Sequence, residues 1–136
     1  MDGAVDFSTL ELAASPNQYL VCPQGECRGQ AHRASPVFAV PVAELKAAWD
    51  RVVARQPRIE RIGSDAERGE DVLVQRSKFM RFPDTVTVAF VPLGADRSTL
   101  YVYSRSKYGY SDLGVNARRI DGWLGELSAE LGVTPN

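Results

Sequence analysis

The sequence predicts an α+β domain in which a strand, a helix, four strands and a second helix follow in that order, with an antiparallel sheet covered by the two helices. Three observations carry this expectation. Two segments repeat apolar residues at helical spacing, the stretch between them alternates with period two, and breaks rich in Gly and Asp divide that stretch into hairpins.

Residues 1–35 are rich in Pro, Gly, Gln, Ser and Asn and short on periodicity, so an irregular N-terminal arm is expected ahead of a single domain over 36–136. "PVFAVPV" then reads as a short apolar strand, confined by Pro36 and Pro41. From Ala43 to Arg55, Leu45, Ala48, Trp49, Val52 and Val53 form one helical stripe that leaves Lys46, Asp50 and Arg51 outside it; Pro57 ends this helix. "RIERIG" is a strand, "ERGED" its turn and "DVLVQRSKF" the next strand. "DTVTVAFVPL" sets Val86, Val88 and Phe90 on one face and Thr85 and Thr87 on the other. "GADRS" turns the chain, and "TLYVYSRSK" places Leu100 and Val102 opposite Tyr101, Tyr103, Arg105 and Lys107. Ile120, Trp123, Leu124, Leu127 and Leu131 restore helical spacing before Gly132 and Pro135. This is the element order of TATA-box-binding-protein-like folds, a likeness of shape that implies nothing about DNA.

A chain of 136 residues, 44% hydrophobic and 24% charged, suits one domain that buries a substantial core. Its net charge of -1 and pI near 5.8 argue against nucleic acid as a partner, so any basic site is local. No run reaches the roughly 18–20 apolar residues of a transmembrane helix, and no membrane insertion is expected. The N-terminus carries acidic residues where a signal peptide has basic ones. As written the chain reads as cytoplasmic, and as periplasmic or envelope-associated if an export segment has been removed, so the compartment stays open. Cys22, Cys27 and the single His32 lack a fourth ligand for structural zinc, and no metal or cofactor is expected. In an oxidising compartment Cys22 and Cys27 are a candidate disulfide; in a reducing one they are free thiols.

"VQRSKFMRF" and "YSRSKYGYS" share Arg-Ser-Lys-aromatic. In a meander both lie on strands flanking "DTVTVAF" and run the same way, so the pair Arg76 and Lys78 and the pair Arg105 and Lys107 are expected to converge. With "SPNQYLVCP", "VQRSKFMRFPD" and "YSRSKYGYSDLGVNARRIDGWL" read together, residues 16–127 resemble the bacterial family known as domain of unknown function 1499. The resemblance implies a small domain, often attached to an exported or membrane-anchored segment, and brings no activity, substrate or catalytic residue. Many relatives carry a compact Cys-Pro-x-Ser-Pro-Asn-Cys stretch where this chain has "SPNQYLVCPQGEC".

A Ser-His-Asp arrangement has no support, because the one histidine sits in the irregular arm, and Ser111 or Asp112 before a helix reads first as an N-cap. "GYSDLG" matches no nucleophile elbow and no phosphate loop. Arg118 and Arg119 near a helix start oppose the macrodipole and call for something negative nearby, supplied internally by Asp112 or Asp121 or externally by a ligand. The candidate ligand-binding set is therefore Arg76, Lys78, Arg105, Lys107, Tyr103, Tyr110, Asp112, Asn116 and Arg119. The favoured reading is a non-enzymatic binding or interaction module for a small anionic ligand or a protein partner. One alternative is an arginine-assisted enzyme on an acidic or phosphorylated substrate, with Asp84 or Asp112 as base; the other is a purely structural motif.

Overall fold

The alternating middle of the chain forms a meander because each break between its strands offers a turn the backbone accepts. In the computed structural model, which describes residues 17–23, 26–27, 31–79, 81–107 and 112–132, the elements are β1 (Gln18–Cys22), β2 (Arg33–Ala34), α1 (Val42–Ala54), β3 (Ile59–Asp65), β4 (Glu70–Arg76), β5 (Pro83–Gly94), β6 (Arg97–Ser106) and α2 (Val115–Leu131). They build a mixed α+β structure around one six-stranded sheet of order β2-β1-β6-β5-β4-β3. Every pairing is antiparallel except that of β1 with the two-residue β2. The turn from β3 to β4 depends on Gly69: its φ is +61°, and a Cβ there would lie 3.0 Å from the carbonyl oxygen of Phe90.

Two expectations ahead of α1 are corrected. No strand forms over 36–42; the segment makes one isolated bridge, in which Phe38 and Ser98 exchange backbone hydrogen bonds of 2.8 and 3.0 Å. Pro36 and Pro41 have no N–H with which to extend it, and Pro41 precedes the first turn of α1 instead. The expected irregular arm does not hold over Gln18–Cys22, which pairs antiparallel with β6 from Gln18↔Arg105 to Val21↔Val102. The observed order is thus two strands, a helix, four strands and a helix.

Both helices cover one face of the sheet. Leu45, Trp49 and Val52 of α1 and Ile120, Leu124 and Leu127 of α2 share a core with Leu73, Val86, Val88, Leu100, Val102 and Val21. Trp49, fully buried, meets Phe90 and Trp123 edge-on at centroid distances of 6.2 and 5.7 Å. Leu20, Cys22, Ala89 and Tyr103 form a smaller cluster on the opposite face, with Cys27, Ala31 and Tyr101 against it. A disulfide joins Cys22 to Cys27, closing the chain just beyond β1.

Candidate functional site

On β6 the side chains facing the helices change along the strand from Leu100 and Val102 to Ser104 and then Ser106, so that end of the core is polar. Asn116, fully buried in the first turn of α2, fills it. Its Oδ1 accepts from Ser104 Oγ and from Arg119 Nη1 (2.7 Å), while its Nδ2 donates among Asp112 Oδ2 (2.6 Å), Ser106 Oγ (3.0 Å) and the carbonyl of Asn17 (3.2 Å). Arg119 completes the network. Its guanidinium donates to Asp84 Oδ2 at 2.7 Å, to Gln75 Oε1, to Ser104 Oγ and to Asn116, with its side chain 9% exposed and that of Asp84 13%. One residue set thereby ties the start of β1, β4, β5 and β6 to α2.

Asp112 is the local anion that the start of α2 requires. Its Oδ1 accepts from the Gly114 N–H at 2.8 Å and its Oδ2 from the Asn116 N–H at 3.0 Å. Partial burial raises its pKa, but the donors of Asn116 and Gly114 together outweigh that and hold the carboxyl below its usual range. Gly114 has φ +80°, and an added Cβ would lie 3.0 Å from Arg118 Nη1, so glycine suits the approach of that arginine.

Outside this network lies an open groove of about 540 Å³ between the ends of β3 and β4 and the first turns of α2. Arg58, Arg76, Lys78 and Arg118 line it, Arg119 and Asp84 are also on its wall, and Glu126 sits at its far side. The four cations Arg58, Arg76, Lys78 and Arg118 are exposed and, among the described residues, none forms an ion pair with a carboxylate. Backbone carbonyls orient three of them: Arg58 donates to Arg76 O, Arg76 to Arg81 O, and Arg118 to Leu113 O. By contrast Arg33, Lys46, Arg51, Arg55, Arg61, Arg68 and Arg119 each lie within 4.0 Å of a carboxylate. The backbone around the groove is strained as well. Arg58, Arg81 and Leu113 have φ of 55°, 58° and 56°, the left-handed region that costs a non-glycine residue roughly 1 kcal/mol.

The sequence-derived set is divided by this geometry. Arg76, Lys78 and Arg119 line the groove, while Asp112 and Asn116 support its α2 wall. Tyr103 and Arg105 face the other side of the sheet, since they alternate with Ser104. There the buried Tyr103 hydroxyl donates to Gln18 Oε1; burial pushes its pKa up, and the neighbouring Arg105 guanidinium pulls it partly back. Lys107 is exposed beyond the end of β6, its N–H donating to Pro83 O. β4 and β6 do flank β5 and run the same way, but β4 ends at Arg76, so Lys78 lies on the following loop, 5.4 Å from the Phe79 ring centroid. Tyr110 lies outside the described residues. The sequence reading missed Arg58, Gln75 and Ser104. For Ser104 and Ser106 a signal existed, two hydroxyl residues continuing the apolar face of Leu100 and Val102; for Arg58 none did, because its position follows from the left-handed backbone after Pro57.

Among the described residues no cluster of His, Cys, Asp or Glu is placed to hold a metal ion, and no helix is long and apolar enough to cross a membrane. No curated protein matches the chain. The family described as Protein of unknown function (DUF1499) matches residues 10–127, and the chain belongs to that family.

Proposed function

We propose that this member of a family of unknown function is a binding module for a small polyanion, a ligand bearing phosphate or several carboxylates, held in the groove between β4 and α2. The observation that carries this reading is the convergence of four cations without a carboxylate partner on one groove. Six cations outside the groove have a carboxylate partner and Arg119 on its wall is paired with Asp84, whereas Arg58, Arg76, Lys78 and Arg118 converge on the groove with no carboxylate partner among the described residues, the three arginines being oriented by backbone carbonyls. Arg81, Arg97, Arg105 and Lys107 also lack a carboxylate partner among the described residues but do not line it. Arginines aimed from two walls suit an anion with more than one charged oxygen, which each guanidinium engages through paired N–H groups. Arg119 belongs to the scaffold: its N–H groups are engaged by Asp84, Gln75, Ser104 and Asn116, which supports an architectural role for the Asn-x-x-Arg part of the motif.

Inorganic pyrophosphate and citrate are the probes. Both are expected to raise the melting temperature, with affinity measured by titration calorimetry falling roughly tenfold for each of Arg76→Ala and Arg118→Ala. Arg105→Ala, on the opposite face, is expected to bind as the parent does. A protein that neither anion stabilises, or one in which Arg76→Ala and Arg118→Ala together leave the shift intact, rules the groove out.

A further inference from the structure

We propose that the polyanion is the head group of an anionic lipid and that this end of the molecule lies on a membrane surface. The inference rests on the anion reading above and adds the apolar rim of the groove. Phe79 is 85% exposed and Leu113 83%, the two most exposed large apolar side chains described. Neither lines the groove, but each is next to residues that do: Phe79 follows Lys78 directly, and Leu113 lies two residues before Val115 and five before Arg118. Phe82 and Val115, 48% and 39% exposed, extend the same rim.

Hydrogen bonds close the two ends of the segment that carries Phe79. Ser77 N–H donates to Phe82 O at 3.0 Å, Phe82 N–H donates back to Ser77 Oγ at 3.0 Å, and Arg76 clamps Arg81 O. Leu113 is presented by a left-handed backbone that the Asp112 turn and Arg118 hold in place. Arg81, within the segment that carries Phe79, adds a cation to Arg76, Lys78 and Arg118, and Lys78 lies over the Phe79 ring. The arrangement complements an anionic bilayer in two ways. Two separate apolar side chains are too little area for the apolar core of a protein interface, but they suit wedging several Å into the boundary between head groups and acyl chains. Each cation brought to such a surface strengthens binding roughly fivefold. The protein then lies on the bilayer without spanning it.

The test is cosedimentation of the full chain with vesicles of phosphatidylcholine alone and of phosphatidylcholine mixed with phosphatidic acid, whose phosphomonoester head group carries more than one charge. Binding to the mixed vesicles and not to the neutral ones is expected. Phe79→Ser combined with Leu113→Asn is expected to weaken it at least tenfold, while keeping the fold by circular dichroism and the melting shift with pyrophosphate. Asparagine tolerates the left-handed backbone at 113, which keeps that variant foldable. Equal binding of both vesicle types, or binding that the double variant leaves unchanged, overturns the proposal. A pyrophosphate shift without vesicle binding overturns the lipid assignment and leaves the anion reading standing; loss of both removes both. A chain that ignores vesicles but self-associates through Phe79 and Leu113 assigns the face to a second copy, and the proposal falls.

Discussion

Asp84 shows at the scale of one residue how a charge is made structural. It faces Arg119 at 2.7 Å with both side chains largely withdrawn from solvent, and Arg119 also holds Asn116 and Gln75. Removing one partner of such a pair strands the other charge in a site that cannot solvate it. Asp84→Ala is therefore expected to lower unfolding free energy by about 3 kcal/mol in urea titration, and Asp84→Leu with Arg119→Met to recover most of that loss. Equal losses in the single and the double variant would place the cost in packing. The sequence announced that Arg118 and Arg119 need a negative partner, but not which arginine would find it. That choice depends on β5 lying under α2, a contact between residues 35 apart in sequence. Nothing local to either residue encodes it.

At the scale of elements, both helices and the four-strand meander were legible because each follows one period and ends at a Pro, Gly or Asp break. β1 was not. Its burial runs across both sides, with Leu20 and Cys22 on one face and Val21 on the other, so no alternation marks it as a strand. Pro36 and Pro41 misled in the opposite direction: the apolar run between them is buried at Phe38 and Val40 without pairing beyond one bridge. The β1–β2 strap also carries a proton-sensitive contact. His32 Nδ1 accepts from the Leu20 N–H at 2.9 Å, an acceptor role open only to the neutral ring, and burial holds its pKa below the ordinary 6.5. A histidine with a depressed folded pKa takes up its proton more readily in the open strap, so its stabilisation is complete above about 6.5 and declines as pH falls through the folded value. Hydrogen exchange is expected to show Leu20 losing protection on going from pH about 7.5 to about 5.5 beyond the change in intrinsic rate, while Val88 in the middle of β5 keeps its own. Unchanged Leu20 protection would mean that the ring bond does not hold the strap.

Across the whole molecule, β1 is the piece that converts a four-strand meander into a sheet whose interior strand is β6. A variant chain beginning at residue 23 would leave the β6 backbone from Val102 to Arg105 without its β1 partner, and flat unpaired edges recruit other chains. Such a variant is expected to elute as dimers or larger species in size-exclusion chromatography, and a monomeric variant would show that β6 needs no cover. The groove, built from β3, β4, β5 and α2, is expected to bind pyrophosphate in either case. The same topology sets an order in time. Gln18 and Tyr103 bond side chain to side chain across 85 residues, so during synthesis at roughly 5–20 residues per second β1 must wait several seconds for its neighbour. A nascent chain therefore carries β1 without its neighbour until β6 has been made, and β1 closes onto the sheet only after that.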